Sequence, residues 1–466
     1  MAAAAGCCGL RQQWAFGPAA PGGRRPPRAG AFQRPACAAR PAEPQQDAEA
    51  PQEDELSHEL QDFAQALLPS SMELSKRRRL LDEIKQAVND AVDGPDNAEV
   101  LTYGSAANGC GEKTSDIDSA IYLPEMELWS SYGAREEQDM QAETLTRVRD
   151  ACRQVGFRVE SFIPRARIPL LTLTKKGLSF DLTCRSLPVH NTRLLRSYTE
   201  LSASVVPLAL AVKRWAKASR LAGTPHGLIS SYSYTLMVIY YLQLVGVVPS
   251  LQELAPAAGV EPRKVEDSGR IMSVAFCSAE EAQEHWRPPS PAPSLGDLLR
   301  GFFAFFAWDY LWGKEVVSVR LGRRMRLDVE EGVKLFPELG RTEEPQWEEI
   351  HIEDPIEIHR NLNFAMQDHT ARRLRKQLTE AAGQLADGCS LRQLLQGAKK
   401  DGIVARRAAL ERKREKDRER ELWRQQRERE ELPEGERPAT RRRPAPGARR
   451  GPRGSALRGS RRRGQR

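Results

Sequence analysis

The sequence predicts an α+β protein, with a small mixed β-sheet domain packed on a mainly helical domain and with disordered basic tails. Two stretches, 99–123 and 157–183, carry short strand-like apolar runs on either side of a helical pattern. From residue 192 to 247, apolar residues recur at helical spacing. Both ends of the chain are rich in Arg, Pro and Gly, so they cannot bury a core.

The hydrophobic pattern places the elements in a definite order. In that order we expect two helices within 56–92, strands over 99–103 and 116–123, a helix over 134–155, strands within 157–183 broken near 175–177, helices over 192–247, an apolar aromatic helix over 295–310 and a closing helix over 370–386. The Pro- and Glu-rich segment 249–293 is expected to be irregular. A charged helix to about residue 431 should precede the Arg-rich end.

The net charge of +8 is unevenly distributed. Residues 1–42 contain six Arg and no acidic residue, and residues 401–466 contain 23 Lys or Arg against 11 Asp or Glu. The tails therefore carry net charges of +6 and +12, which leaves −10 on residues 43–400. Basic tails attract phosphate backbones without reading a sequence, although they could also serve only to keep the chain in solution.

The leader lacks acidic residues, as a transit peptide would, but residues 1–42 contain no Ser or Thr. A mitochondrial or plastid location follows if it is a transit peptide, and a cytoplasmic or nuclear one if it is a disordered leader. The eight Cys form no Cys-x-x-Cys pair and no Cys/His cluster, so we expect free thiols and no zinc. Because no run of 18 apolar residues occurs, we expect no membrane partner.

A glycine-rich turn is the strongest chemical signal in the chain. It reads Tyr103-Gly-Ser-Ala-Ala-Asn-Gly-Cys-Gly-Glu-Lys-Thr-Ser-Asp-Ile-Asp118. Gly104 allows a tight turn and close approach of a ligand. Ser105 offers a hydroxyl and an amide to a phosphate, at an expected helix N-terminus.

Two carboxylates follow this turn. Asp116 and Asp118 are two residues apart on a predicted strand, so both side chains leave the same face and repel each other. A divalent cation relieves that repulsion, and carboxylates with phosphate oxygens suit Mg²⁺ or Mn²⁺. Asp181, at a strand edge, could join them in a two-metal site. An isolated Asp-x-Asp is more often a solvated strand edge, but the adjacent Gly-Ser turn favours the metal site.

Together the turn and the carboxylates resemble the nucleotidyltransferase signature of the DNA polymerase β superfamily. Five later blocks are similar, in the expected order, to motifs of the poly(A) polymerase-related terminal uridylyltransferase family. They are 190–198 (His-Asn-Thr-Arg-Leu-Leu-Arg-Ser-Tyr), 212–217 (Val-Lys-Arg-Trp-Ala-Lys), 227–242, the segment that begins Ser-Leu-Gly-Asp-Leu-Leu at 294 and runs to 310, and 352–355 (Ile-Glu-Asp-Pro). The matching blocks run from about residue 56 to 394.

This resemblance implies a domain organisation. The expected parts are a leader over 1–53, N-terminal helices over 54–93 that pack with the helical domain, a nucleotidyltransferase palm domain over 94–195, a helical central domain over 196–398 with a poly(A) polymerase-associated segment at about 294–360, and a charged helix with an Arg-rich tail over 399–466.

The resemblance also implies an activity: template-independent transfer of a nucleotide from UTP or ATP to an RNA 3′ end, with two Mg²⁺ or Mn²⁺ ions held by Asp116, Asp118 and Asp181. The expected nucleotide contacts are Gly104 and Ser105 in the turn, Asn191 to the ribose and base, Lys213 and Lys217 to the phosphates, Ser231 to the γ-phosphate, Tyr232 as a stacking face, and Arg360.

Residue chemistry supports several of these roles. Lys213 and Lys217 lie one helical turn apart, where two ammonium groups favour a shared anion, and Trp215 between them indicates a half-buried helix rather than a solvated face. Tyr232 begins a helix and can stack on a base. The other tyrosines of this helix, at 234, 240 and 241, are expected to be core residues.

Two departures from the family pattern bear on the nucleotide. Uridine-adding members carry a His at a set distance after Glu-Asp-Pro, and here Arg360 occupies that position with His359 before it. We therefore predict UTP as the substrate by a small margin, with ATP as the alternative. The stretch after Asp181 lacks the usual Asn pair, and Ser186 could replace it in the sugar contact.

Three other interpretations compete. The same palm serves tRNA-repairing and antibiotic-modifying transferases, since a fold does not fix a function. The chain could also be a silent RNA-binding scaffold or a nucleotide sensor. No RNA-reading module is evident, so RNA is expected to bind between the domains or on the basic C-terminal tract; the sequence identifies no protein partner.

Overall fold

The structure is a computed structural model. It describes residues 54–92, 98–123, 133–166, 168–185, 187–223, 228–267, 270–327, 335–336, 349–363, 366, 368–400 and 402. The leader, the charged helix expected beyond 402, the Arg-rich tail and Ser186 lie outside the described residues.

Apart from two short helices within 249–293, a segment predicted to be irregular, the helices of the described residues begin and end close to the predicted positions. They are α1 Glu55–Leu67, α2 Ser71–Ala91, α3 Ala134–Gln154, α4 Leu187–Leu201, α5 Val205–Ala218, α6 Ser231–Leu244, α7 Leu251–Leu254, α8 Ala279–His285, α9 Leu295–Ala304 and α10 Asp368–Ala386. The aromatic segment expected to be one helix over 295–310 changes after α9 into a π-helix, Phe305–Asp309. None of the helices in the described ranges is both long and apolar enough to cross a membrane.

Five strands form the main sheet, in the spatial order β1-β2-β5-β4-β3. They are β1 Glu99–Tyr103, β2 Ile117–Tyr122, β3 Arg158–Ile163, β4 Leu170–Lys175 and β5 Leu178–Thr183. The pairing of β2 with β5 is parallel and the other three pairings are antiparallel. The sheet is therefore mixed, as predicted, and its only parallel pair brings the strand after the Gly-rich turn beside the strand of Asp181.

Two separate apolar cores correspond to the sheet and to the helices. Buried Leu80, Ile84 and Val88 of α2 pack with the sheet, whereas Leu60 of α1 packs with Trp215 in the helical core. The expectation that both N-terminal helices pack with the helical domain is thus corrected for α2, because its apolar stripe covers the sheet. A capping box at Ser70 and Glu73 begins α2 after the predicted break.

The segment 249–293 is more regular than predicted. It contains α7, α8 and a hairpin of β6 Lys264–Asp267 with β7 Arg270–Ser273. Further along the chain, β8 Glu315–Val317 pairs with β9 Met325–Arg326 and, in parallel, with β10 His351–Ile352. The Glu-Asp-Pro motif follows β10 directly, so this small sheet fixes its position.

Candidate active site

The Gly-rich turn joins β1 to the segment before β2. Gly104 has a positive φ of 71°, and its carbonyl accepts from the Asn108 amide at 3.1 Å. A Cβ at position 104 would lie 2.3 Å from Oδ2 of Asp118, so only glycine fits there. Residues 104–109 form turns and bends rather than a helix, which corrects the expected helix N-terminus at Ser105.

A hydroxyl outside the turn holds it in place. The Gly104 amide donates to Oγ1 of Thr192 at 2.8 Å, and that hydroxyl donates to the Pro188 carbonyl at 2.9 Å. Thr192 lies in α4, so the turn is tied to the first helix after the sheet. Sequence reasoning missed Thr192, although it directly follows Asn191 in the quoted motif.

The three Asp residues meet at one edge of the parallel pair. Asp118 of β2 is the register partner of Asp181 of β5, and Asp116 is the exposed residue just before β2. Burial, followed by the charges of Asp181 and Asp116, raises the pKa of Asp118 to about 7. Burial likewise raises the pKa of Asp181. The site therefore holds carboxylates whose ionised forms need a positive partner.

A divalent cation fits this donor set. Oδ1 of Asp181 is buried and has no hydrogen-bond partner. Carboxylate oxygens are the ligands that Mg²⁺ and Mn²⁺ prefer. Within the described ranges, no three His, Cys, Asp or Glu side chains already form a ready-made metal cage. Asp116 is the exposed member of the three and adds a further carboxylate at this edge.

A cavity of about 520 Å³ begins at these carboxylates and extends to the helical domain. The predicted site residues that line it are Gly104, Ser105, Asp116, Asp118, Asn191, Lys213, Lys217, Ser231, Tyr232 and Arg360. Asp181 is not among the lining residues, but its register partner Asp118 is. The fold thus brings together residues from five separate stretches of the chain around one space.

The lysines on α5 differ in their surroundings. Lys213 is 4% exposed and donates to the Cys110 carbonyl at 2.9 Å, and burial lowers its pKa. Lys217 is about half exposed, and its Nζ lies 3.8 Å from Oε1 of Glu112. Only Lys217 is thus largely accessible to a bound phosphate, whereas Lys213 supports the Gly-rich turn.

Glu112 is the functional residue that sequence reasoning missed most clearly. Its side chain is 3% exposed, and Oε2 lies 2.5 Å from Nη2 of Arg214. The anion expected between the α5 cations is therefore supplied, in this structure, by the protein itself. Glu112 lies inside the quoted turn motif, but only the three-dimensional contact with α5 shows its role.

The far end of the cavity is aromatic and polar. Ser231 and Tyr232 begin α6 as predicted, with Ser230 as the N-cap residue. The Tyr232 hydroxyl is buried without a hydrogen-bond partner, and burial raises the pKa of this phenol.

Asn191 donates to both carboxylate oxygens of Asp354 at 3.3 Å. Asp354 belongs to the Glu-Asp-Pro motif and adds a carboxylate to the lining of the cavity. Tyr234, Tyr240 and Tyr241 of α6 are buried in the core, as expected.

Arg360 rather than His359 reaches this cavity. The Arg360 side chain is about one third exposed, and its Nη1 donates to Oε2 of Glu357 at 2.7 Å. His359 instead lies against the Leu335 carbonyl, at 3.0 Å from Nδ1, and lines a neighbouring cavity. The guanidinium of Arg360, and not the imidazole of His359, therefore lines the candidate cavity.

A small mixed sheet with paired carboxylates beside a Gly-Ser turn, facing a helical domain across a nucleotide-sized cavity, defines a nucleotidyltransferase. Family models match over residues 56–200, described as the central palm domain of mitochondrial-like poly(A) RNA polymerase, and over 294–360, described as Cid1 family poly(A) polymerase. The chain belongs to this family of terminal uridylyltransferases and poly(A) polymerases.

Individual relatives agree with this membership. The terminal uridylyltransferase cid1 of Schizosaccharomyces pombe is 30% identical over 324 residues, covering 67% of this chain and 74% of cid1. Poly(A) RNA polymerase GLD2-A of Xenopus laevis is 26% identical over 358 residues, covering 74% of this chain and 62% of GLD2-A. The solved structure of Cid1 with its short product ApU matches with a TM-score of 0.58 and 26% identity, over 73% of this chain and 98% of that one. The Cid1 structure with MgGTP bound matches with a TM-score of 0.58 and 28% identity, over 73% and 98%.

Proposed function

We propose that this protein is a template-independent RNA 3′-terminal nucleotidyltransferase that transfers a nucleoside monophosphate from a triphosphate and releases pyrophosphate. The observation that carries the proposal is the register pairing of Asp118 with Asp181, beside a cavity that Asp118, Tyr232 and Arg360 line together. Relatives with a terminal uridylyltransferase and a poly(A) polymerase name support the same reaction class. We also propose the domain limits 94–195 for the palm and 196–398 for the helical domain.

The residues divide the reaction between two ends of the cavity. Asp116 and Asp118 would hold two divalent ions jointly, and Asp181 would hold the ion on the attacking side and help take the proton of the RNA 3′-hydroxyl. Such ions lower the pKa of a bound hydroxyl and neutralise a leaving phosphate. Lys217 and Ser231 would contact the triphosphate, and the Gly104–Ser105 turn would approach it closely.

The base would lie at the other end. Tyr232 would stack on it, a contact worth about 1 to 3 kcal/mol per base. Asn191 would contact the ribose and base. Arg360 has only donors, so it suits a base edge that presents acceptors, such as O4 of uracil, better than the adenine amino group. This chemistry favours UTP, with ATP as the second candidate because adenine nitrogens also accept.

The test is an extension assay on the full chain with a labelled single-stranded RNA. Each ribonucleoside triphosphate is supplied separately with Mg²⁺ or Mn²⁺, beside an Asp116→Ala, Asp118→Ala double variant. Ladders with UTP, absent from the double variant, are expected. Ladders with ATP alone would make the protein an adenylyltransferase. Nucleotide binding without any extension would favour a sensor or scaffold instead.

Asp181 has its own diagnostic. An Asp181→Ala variant should lose extension while it still binds nucleotide, because the cavity lining itself is unchanged. Extension at the wild-type rate in this variant would remove Asp181 from the catalytic set.

A further inference from the structure

A largely buried ion network connects the palm to the base end of the cavity. Arg185, just after β5, donates from Nε to Asp267 at 2.7 Å and from Nη2 to Glu357 at 3.3 Å. The side chains of Arg185, Asp267 and Glu357 are 12%, 10% and 10% exposed. Charges at this depth are weakly screened, so the loss of one partner is felt strongly by the others.

Glu357 is shared between two guanidinium groups. Its Oε1 accepts from Arg185, while its Oε2 accepts from Arg360 at 2.7 Å. The backbone of the same turn is also closed, because the Arg360 amide donates to the Glu357 carbonyl at 2.7 Å. The carboxylate of Glu357 is thus held at both oxygens, and its orientation fixes where the Arg360 guanidinium lies in the cavity.

The outer member of the network belongs to the β6–β7 hairpin. Asp267 is the last residue of β6, and Met272 of β7 packs with Leu187 and Ile356 in a small apolar cluster. Ile356 directly precedes Glu357. The hairpin therefore contacts the Arg360 segment twice, once through this apolar cluster and once through Arg185.

We propose that Asp267 and Arg185 are positioning residues that act through Glu357 to orient Arg360, which makes the β6–β7 hairpin a nucleotide-specificity element. When Asp267 is neutralised, Arg185 has one carboxylate fewer and draws more strongly on Glu357. Glu357 then holds Arg360 less firmly, and the base end discriminates less between nucleotides. Lys217 on α5 lies beside Glu112 and takes no part in this network. The proposal rests on the proposed function, since it assumes that the cavity binds a nucleotide.

The experiment compares equilibrium binding of UTP and of ATP, each with Mg²⁺, to the full-length wild type, Asp267→Asn, Arg360→Ala and the double variant. We expect Asp267→Asn to reduce the ratio of the Kd for ATP to the Kd for UTP by about 3- to 10-fold, toward the ratio measured for Arg360→Ala. In the Arg360→Ala background the same change should have no further effect on the ratio, because its target is gone. Glu266→Gln, an exposed acid next to Asp267, is the matched control and should leave the ratio unchanged.

Each other result has a definite meaning. An unchanged ratio in Asp267→Asn, or an equal shift in both backgrounds, would overturn the positioning role while leaving the proposed function standing. If Asp267→Asn does not fold, Arg185→Lys serves instead, since it keeps the charge but loses the two-armed contact, and the same outcomes apply. Wild-type binding without RNA extension would refute the transferase activity alone. No wild-type binding of either nucleotide would overturn both proposals.

Discussion

Asp118 places a carboxylate where its charge is unfavourable without an ion. Its pKa is raised to about 7 by burial and by two neighbouring carboxylates. In metal-free protein at pH 8, Asp118→Asn should therefore increase the free energy of unfolding by about 1 to 3 kcal/mol, because it removes a repelled charge. Urea unfolding in EDTA measures this change. The same variant should lose RNA extension.

An exposed carboxylate provides the control for that experiment. Asp139→Asn on α3 removes the same charge far from the site and should change the unfolding free energy little. A metal-free Asp118→Asn protein that is less stable than wild type would mean that Asp118 is held by favourable contacts and not by a missing cation.

The negative charge of Glu112 lies where it competes with the proposed triphosphate. Its carboxylate lines the cavity and lies close to Lys217 and Arg214. A bound triphosphate must share these cations with it. Glu112→Gln keeps the size of the side chain and removes the competing charge, so KM for the nucleotide should fall by about 3- to 10-fold. Initial rates of extension at varied triphosphate measure KM. Glu99→Gln, at the exposed start of β1 and outside the cavity lining, is the control. A higher KM would show instead that Glu112 helps binding by holding Lys217 in place.

At the scale of the elements, the sequence predicts best where local signals are strong. The β1 strand, the long α3 helix and the closing α10 helix have clear periodicity and lie within two residues of the predicted bounds. The β6–β7 hairpin is too short for such a pattern: Lys264-Val-Glu-Asp267 has only four residues, and the contacts of the hairpin with Arg185 and Ile356 involve residues far away in the chain. Such an element depends on tertiary contacts that local patterns do not encode.

The same limit applies to the site. Asp116, Asp118 and the Gly-Ser turn are contiguous, so their motif is visible in the sequence. Thr192, Glu112 and Glu357 act through partners on other elements, and their chemistry appears only when those elements are packed together.

Close packing of α9 on α6 depends on one glycine. A Cβ at Gly301 would lie 1.9 Å from the Tyr241 hydroxyl, and the Tyr241 ring is itself packed edge-on against Phe302. Gly301→Ala should therefore lower the free energy of unfolding by about 1 to 3 kcal/mol through overpacking.

Gly383 on α10 has no atom within 4 Å of its Cβ position. Gly383→Ala should accordingly raise stability by about 0.5 to 1 kcal/mol through helix propensity. Thermal unfolding of both variants measures the contrast, and equal effects would contradict the packing argument.

Strand β10 carries a buried histidine that must stay neutral. His351 is 1% exposed, and burial lowers its pKa to about 4. Oδ1 of Asn361 accepts from the Ile352 amide at 3.1 Å, which orients the Asn361 amide group so that Nδ2 donates to His351 Nδ1 at 2.9 Å. Because the folded pKa lies below the unfolded value of about 6.5, this stabilisation is complete above pH 6.5 and is lost as the pH falls toward 4.

The stability difference between wild type and His351→Gln isolates this effect. Between pH 7 and pH 4, we expect the wild type to lose on the order of 2 kcal/mol of unfolding free energy relative to His351→Gln, as measured by urea unfolding. His285→Gln, at the exposed end of α8, is the matched control and should show no such shift. A pH-independent difference for His351→Gln would mean that the pKa of His351 is the same in the folded and the unfolded protein.

At the scale of the whole molecule, an acidic body has to bind a polyanion. Residues 43–400 carry −10, so attraction of RNA from solution depends on the tails and on local cations. The stretch from residue 437 to the end contains twelve Arg and no acidic residue. Its removal should weaken RNA binding and flatten the salt dependence, since each phosphate contact on single-stranded RNA contributes about −0.7 to the slope of log K against log salt. Nucleotide KM should not change, because the triphosphate cavity lies between α4, α5 and α6.

A shuffled tail distinguishes charge from sequence in this experiment. A variant with residues 437–466 in scrambled order keeps all twelve Arg, and it should bind RNA with the wild-type salt slope, whereas deletion should flatten the slope by at least about 2. Titrations of a labelled single-stranded RNA at several salt concentrations give both slopes. If the deletion keeps the wild-type slope, the RNA is held by the body despite its negative charge, and the cations around the active-site cavity become the place to look for its phosphate contacts. If only the native order restores binding, the tail reads RNA sequence or shape and its role goes beyond electrostatic attraction.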